Sequence, residues 1–443
     1  MQIAFLSLFL GLISGPQPVA VSAGPGVAAV ELELDGGSAG RLAVGSDGAA
    51  WRGQVDFGGG LLPHHLVARG LDRDGVEVAA AEQWINLPRA PAEVEIVIER
   101  ALAGRPRSVR LAWQSLTNEP PQAVALTLDG RPLALDGRGR AQLPALPEDG
   151  ATRVLSAEVR FGSGAVAHRD VALGRNFDGE VSSELTAVPV VPRGRGGELP
   201  PADQLQGWFT AAGRELTVEG VEAGGALLGV VRDPAAADAL ARVSAYRRND
   251  EHSLAAPPGT VLRFIWPAAH GYAAAAGTGV PSELFESSQD FAGFSRGLPW
   301  LLARVDHAGD GAGPRRLGDA VAVAGLQVAA GGRPRAVLLL LPAAALAAQD
   351  PSRYPGPLVR RYLAAIHVPL AVWSSGPPPA AARAAWGDDI FDVSTRAGLG
   401  RAMQALRETL EEQRIVLLSG RILPPAIALS PAAAARVELV PRR

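Results

Sequence analysis

Alternating apolar and polar positions organise the first half of the chain. Val30-Glu31-Leu32-Glu33-Leu34 puts every second side chain on one face and runs into Asp35-Gly36, a pair that favours a two-residue hairpin turn. Val124-Ala125-Leu126-Thr127-Leu128-Asp129-Gly130 repeats this pattern. A second anchor recurs with it. His65-Leu66-Val67-Ala68 leads to the turn Asp72-Arg73-Asp74-Gly75, and Val154-Leu155-Ser156-Ala157 leads to Gly162-Ser163-Gly164. Two segments of about 90 residues with such strands and turns predict tandem antiparallel sandwiches, each with one strand face in a core and the other in water. Pro192 to Pro201, reading Pro-Arg-Gly-Arg-Gly-Gly-Glu-Leu-Pro-Pro, has linker composition and marks the end of the β half.

Beyond a hairpin around Trp208 and Gly213 the period changes. The apolar run Ala226–Val231 predicts a buried strand and Pro234–Tyr246 a helix. Val261–Trp266 and Trp300–Val305 predict further strands, and Leu317–Ala330 has helical composition. Ala336–Leu341 is an uninterrupted apolar strand, Leu358–Ile366 a helix and Pro369–Trp373 a strand. Gly398–Gln413 carries Leu399, Met403, Leu406 and Leu410 on one helical face, and Arg414–Leu418 closes as a strand. Apolar strands alternating with helices predict a mostly parallel sheet covered on both faces.

Two resemblances follow. The Val-x-Leu-x-Leu-Asp-Gly openings resemble those of immunoglobulin-like modules in secreted bacterial proteins. From about Asp203 to the C-terminus the chain is similar to the von Willebrand factor A-related domain of such proteins. Three stretches carry that similarity. They are Leu227-Leu228-Gly229-Val230-Val231-Arg232-Asp233, Arg316-Leu317-Gly318-Asp319-Ala320-Val321 with Arg335-Ala336-Val337-Leu338-Leu339-Leu340, and Val368-Pro369-Leu370-Ala371-Val372-Trp373. The fold class implied is two antiparallel immunoglobulin-like β-sandwiches followed by a doubly wound α/β von Willebrand factor A-like domain. The expected segments are a leader at 1–23, sandwiches at 24–90 and 91–191, a linker at 192–202 and the α/β domain at 203–443.

The leader expectation rests on the apolar stretch Ile3–Ile13 and on Val21-Ser22-Ala23, whose small residues suit cleavage before Gly24. With no later apolar run of the ~18 residues a membrane span needs, the expected product has no transmembrane segment after cleavage and is secreted or periplasmic. The 443 residues suit roughly three domains at ~150 residues each. A net charge of −3 gives no electrostatic case for nucleic acid, and the 42 basic residues are all arginine. Cysteine is absent, which excludes disulfides, thiolate metal sites and a cysteine nucleophile.

The resemblance places a metal loop of the form Asp-x-Ser-x-Ser at the strand–Asp–helix start Asp233-Pro234-Ala235-Ala236-Ala237. Here Ala235 and Ala237 stand at both serine positions. The loop Ala312-Gly313-Pro314-Arg315-Arg316 supplies two positive charges and no threonine. Pro342-Ala343-Ala344 follows the strand where an aspartate is expected. A hard cation needs several oxygen ligands, so Asp233 is read as a vestigial motif position that caps the helix, with no metal and no cofactor.

Other constellations offer alternative chemistry. Gly293-Phe294-Ser295-Arg296-Gly297 matches the Gly-x-Ser-x-Gly elbow, with Asp306, His307 and His367 as candidate partners for a secreted serine hydrolase using Ser295. Leu298-Pro299 after the elbow argues against the helix it needs. Asp306, His307 and Asp310, and separately Asp388, Asp389 and Asp392, match no defined metal loop and read as solvated turns. Asp72-Arg73-Asp74-Gly75-Val76-Glu77 reads as a hairpin turn, and His64-His65 point to opposite faces of a strand. Trp51, Trp84 and Trp113 fit core packing better than a carbohydrate-binding surface. The expected function is therefore a non-catalytic, exported protein–protein interaction or scaffolding role with an unknown protein partner. A hydrolase and a carbohydrate-binding sandwich are the alternatives.

Overall fold

The computed structural model describes the chain except residues 1–2, 8, 10–11, 46–49, 88–91, 101–105, 116–119, 145–152, 163–165, 174–184, 194–198, 223, 244–255, 273–281, 289, 293–296, 306–314, 344–349 and 442–443. The repeat seen in the sequence is a repeat of topology. In the first sandwich Ala29–Leu34 is flanked by Gly37–Arg41 and His64–Leu71, and Glu77–Ile85 follows. In the second, Pro121–Leu128 is flanked by Arg131–Pro132 and Arg153–Phe161, and Val166–Leu173 follows. Both Asp-Gly pairs form the expected turns. Asp35 and Gly36 have φ of 53° and 83°, and Asp129 and Gly130 have 49° and 76°. That left-handed pair is what a type I′ turn requires, and Asn, Asp and Gly tolerate it.

The opposing sheets repeat as well. Ile3–Phe5 pairs with Pro16–Ala23, which pairs with Trp51–Asp56. In the second sandwich Ala92–Arg100 pairs with Pro106–Ser115, which pairs with Arg140–Gln142. Ile3–Phe5 and Pro16–Ala23 thus occupy the places of Ala92–Arg100 and Pro106–Ser115 in the strand order. Val19 and Val21 are buried in the first core with Val30, Leu32, Val55 and Leu66. Of the apolar stretch Ile3–Ile13, the residues Ile3, Phe9 and Ile13 are buried in the same core.

The chain divides into two compact units. One comprises Ala90–Glu184 with Ser287–Asp290. The other comprises Met1–Arg89, Leu185–Glu286 and Phe291–Arg443. The smaller unit is built on the second sandwich, whose core includes Val109, Leu111, Leu126, Leu155 and Phe161. Leu185–Pro192, next in the chain, belongs to the larger unit and pairs there with Arg414–Ser419 and Val437–Leu439.

The larger unit is centred on a six-stranded sheet. Its strands, in chain order, are β1 (Leu227–Arg232), β2 (Val261–Tyr272), β3 (Ser282–Ser287), β4 (Arg335–Leu341), β5 (Leu370–Ser374) and β6 (Ile390–Asp392). They lie side by side in the order 3-2-1-4-5-6. The pairs β1–β2, β1–β4, β4–β5 and β5–β6 are parallel. Every residue of β1 and β4 is buried, as continuous apolar runs in a sheet covered on both faces must be. The helices are α1 (Pro234–Val243), α2 (Leu298–Arg304), α3 (Leu317–Ala330), α4 (Gly356–Ala365), α5 (Ala380–Trp386) and α6 (Arg396–Glu411). Residues of α3, α4 and α5 fill the core on one face, and residues of α1, α2 and α6 fill it on the other. Gly229 lets α3 approach, since a Cβ there would sit 3.0 Å from the Val328 side chain.

One element departs in type from its expectation. Trp300–Val305, read as a strand, lies largely in α2. Leu298 and Leu302, one helical turn apart, are buried while Trp300 is 48% exposed, so the spacing is helical. Pro299 sits in the first turn, where its missing N–H has no partner to lose. Leu298-Pro299 therefore starts a helix where the sequence predicts a block. Helix α5 and strand β6 were not foreseen, being short and poor in large apolar residues.

The first sandwich is joined to the α/β body within the same unit. Leu12 and Leu61 enter the core formed by α3, α4 and the sheet. The Tyr362 hydroxyl donates to the Asn86 carbonyl at 2.7 Å, and the Tyr354 hydroxyl donates to the Leu12 carbonyl. Asn86 is buried with φ 55°, and its side chain binds Ile13 N–H and the Ile13 and Leu62 carbonyls. A smaller β layer is built from Leu185–Pro192, Val218–Glu222, Arg414–Ser419 and Val437–Leu439. Beside it, the hairpin expected near Gly213 joins Phe209–Ala211 to Arg214–Glu215.

Candidate functional site

Strand β1 ends at Arg232 and Asp233 starts the turn into α1, so the Asp233 carboxylate lies at the C-terminal edge of the sheet, beside the 1-4 switch in strand order. That edge is where open α/β sheets place their ligands. The Asp233 N–H donates to the Leu340 carbonyl at 3.0 Å, which locks the turn to β4. Asp233 Oδ1 accepts the Ala235 N–H at 2.9 Å, the bond of a helix N-cap. The same oxygen accepts Arg315 Nη1 at 3.0 Å. The Asp233 side chain is 4% exposed and that of Arg315 39%. A nearly buried carboxylate therefore has a guanidinium as its counter-charge.

The neighbouring positions carry no further oxygen donors of the expected kind. Ala235 is exposed, and the Ala237 methyl is buried. Beyond β4 the Ala343 N–H donates to Ser375 Oγ at 3.1 Å, which ties the β4 and β5 ends together. The two arginines expected to face Asp233 part company. Arg315 binds it, while Arg316 turns to Asp319 at 2.6 Å. Among the described residues no group of three or more His, Asp or Glu side chains is arranged to hold a metal.

Asp319 and Asp350 are polar anchors that the sequence reading did not single out. Asp350 accepts the Leu317 and Gly318 N–H groups at 3.1 and 3.0 Å and so caps α3 from a distant loop. Asp319 accepts the N–H groups of Arg353 and Tyr354, both at 2.9 Å. Gly318 fits because a Cβ there would lie 2.4 Å from the Tyr354 carbonyl oxygen. An acid in the first turn of α3 was the available signal for Asp319. Asp350 had none, because its helix is 32 residues away in sequence from the nearer bonded partner.

Of the other sequence candidates, Ser295 with its flanking 293–296, and Asp306, His307 and Asp310, lie outside the described residues. His367 lies below the sheet, where its ring meets the Val440 and Pro424 carbonyls. Asp388 and Asp389 are exposed between α5 and β6, and Asp392 ends β6, accepting the Ser394 N–H at 2.9 Å. Asp72 closes its hairpin by accepting the Asp74 and Val76 N–H groups. His64 and His65 do separate. His64 is buried and bonded to Asp35 at 2.7 Å, whereas His65 meets Glu82 at 2.7 Å. Trp84 is covered by His65, stacked at 4.0 Å, and by the Arg421 guanidinium 5.5 Å from its ring centre. Trp51 packs against the first core and Trp113 against the second. Trp300 is the exposed tryptophan on α2, with Arg304 5.7 Å from its ring centre.

No family model matches the sequence, and no curated protein matches it. Solved structures with some similarity include the fibronectin(III)-like modules of Clostridium thermocellum CbhA, at TM-score 0.16 and 10% identity over 39% of this chain and 93% of that one. The central fibronectin-III array of RIM-binding protein aligns at TM-score 0.20 and 10% identity over 47% of this chain and 81% of that one. The β-glucuronidase of Parabacteroides merdae aligns at TM-score 0.22 and 13% identity, over 39% of this chain and 25% of that one. The sandwiches of the present chain stand on their own strand order and core residues.

Proposed function

We propose that the chain is a non-catalytic protein-binding or scaffolding protein whose α/β domain is of the von Willebrand factor A type and works without a metal. The observation that carries this reading is the Arg315–Asp233 pair. A guanidinium supplies the positive charge that a cation brings to this edge of the sheet, but it has no open coordination position to offer a ligand. Strand order 3-2-1-4-5-6, with Asp233 directly after β1, supports the domain type. Two sandwiches in the same chain support a role in contact between proteins, by analogy from fold.

The test is affinity capture on the immobilised full-length chain, with its own cell extract or medium as the source. Each capture is run with and without a chelator, alongside a serine-reactive phosphonate probe. The expected result is a reproducible bound protein retained in chelator, with no labelling of Ser295. Binding lost in chelator, or stoichiometric modification of Ser295, would overturn the reading.

A further inference from the structure

The buried polar groups below the sheet point to a proton-sensitive junction. Arg335 begins β4 and is fully buried. Its guanidinium has no carboxylate partner among the described residues. It donates instead to three carbonyls, those of Ala329 at 2.8 Å, Ala187 at 3.1 Å and His367 at 3.3 Å. Burial alone pulls its pKa down to about 9. Gln413, after α6, brackets the same residue by accepting the Arg335 N–H and donating to its carbonyl, both at 2.9 Å.

His367 follows α4 in the left-handed region, φ 58°, and is buried. Its ring lies between two carbonyls of the C-terminal segment, with Nδ1 2.9 Å from Val440 O and Nε2 3.2 Å from Pro424 O. Between those contacts the segment supplies Ile427–Leu429, which pairs with Phe209–Ala211, and Val437–Leu439, which pairs with Leu185–Pro192. It is a strap across the small β layer, and His367 touches it near both ends.

Two effects oppose each other at this ring. A neutral imidazole has one N–H and serves one carbonyl at a time, and the shorter contact assigns it to Val440. An imidazolium donates to both, but it places a charge in a buried site that has no carboxylate among the described residues. The charge facing it is the Arg335 guanidinium from β4. Glu438 on the strap is directed to Arg193 at 3.6 Å, Arg436 lies over Trp208, and Gln413 is neutral. Burial and then Arg335 hold the ring below its ordinary value, against the pull of the two carbonyls.

We propose that His367 is a proton-operated latch on the C-terminal strap: the neutral ring holds the strap to the body, and protonation makes it a second buried cation beside Arg335 and frees the strap. The sign follows from linkage. A base whose folded pKa is depressed contributes stability above its unfolded value, about 6.5, and loses it as pH falls toward the folded value. Opening frees the edge of Leu185–Pro192 that the strap covers. An unpaired edge of that kind is a template for another strand.

The test is hydrogen exchange of the full-length chain from about pH 7.5 to about pH 5, corrected for intrinsic rates. Within that window one proton changes an opening equilibrium by up to about tenfold per pH unit. Strap amides from Ile427 to Leu439 should lose protection on that scale while β4 amides keep theirs, and His367→Gln should flatten the response. Strap protection independent of pH, an equal loss in β4, or a response retained in the variant would overturn the proposal. Should the variant fail to fold, an NMR titration of His367 in the wild-type protein decides. A midpoint below the ordinary value that coincides with strap opening is expected, and one above it refutes the latch.

Discussion

The Asp233–Arg315 pair makes a quantitative prediction. Arg315→Ala leaves a carboxylate whose side chain is 4% exposed, with its N-cap bond but without a counter-charge. Breaking a fully buried pair costs about 3–5 kcal/mol, and exposed pairs are worth at most about 1 kcal/mol. Because the Arg315 side chain is 39% exposed, solvent screens the pair, and an intermediate cost of about 2 kcal/mol follows. Asp233→Ala removes the cap, about 1 kcal/mol, and the pair as well, for about 3 kcal/mol in total. The double variant loses the pair only once. It should cost about 3 kcal/mol where additivity would give about 5 kcal/mol, a coupling near 2 kcal/mol. A chain of two units need not melt in one step, so the readout is native-state hydrogen exchange of amides in β1, β4 and α1. Millimolar magnesium, calcium or manganese should leave wild-type protection unchanged, since a ligand selective for the folded state must stabilise it. Additive single costs would refute the ion pair as the device that neutralises Asp233. A saturable gain in protection with metal would refute the metal-independent reading as well.

Three further outcomes follow from the fold. A chain starting at Gly24 lacks Pro16–Ala23, with Val19 and Val21 of the first core; it should lose that sandwich by near-ultraviolet circular dichroism. N-terminal sequencing of the native protein that begins at Gly24, with the sandwich intact, would show that those strands are dispensable. Tyr362→Phe strips the buried Asn86 carbonyl of its hydroxyl donor; it should cost about 1–3 kcal/mol and raise exchange in the first sandwich, and unchanged exchange would mean that the docking contact is idle. Gly318→Ala forces a Cβ to 2.4 Å from the Tyr354 carbonyl oxygen; by separating α3 from the Asp350 loop it should cost more than about 2 kcal/mol, and a melting temperature within a degree of wild type would contradict the close approach.

What the sequence determined by itself was whatever local periodicity encodes. The two Asp-Gly hairpins, the buried strands β1 and β4, α3 and the amphipathic α6 all follow from period and turn chemistry, because each segment buries one face or both. The strand–Asp–helix start at Asp233 was legible for the same reason. The repeat also contained more than was drawn from it. Aligning Asp35-Gly36 with Asp129-Gly130 places Pro16–Ala23 opposite Pro106–Ser115 and identifies both as strands. An apolar run on its own suits a leader and a core strand equally. Trp300 in α2 illustrates the same limit, since seven residues are too few for one period to exclude another.

Tertiary structure alone decided which distant groups meet. Arg315 and Arg316 are adjacent and alike in sequence, yet one closes on Asp233 and the other on Asp319. The backbone before α3 aims them apart, and nothing local states that direction. Asp350 caps a helix 32 residues away, and Leu185–Pro192 finds its partners beyond Arg414. His367 reads in sequence as a candidate partner for Ser295, and only the folded strap brings the Val440 and Pro424 carbonyls to its two nitrogens. Periodicity sets which face of an element is buried. The counter-charge, cap or carbonyl that each buried polar group finds is set by long-range packing, where the cost of leaving such a group unpaired selects the partner.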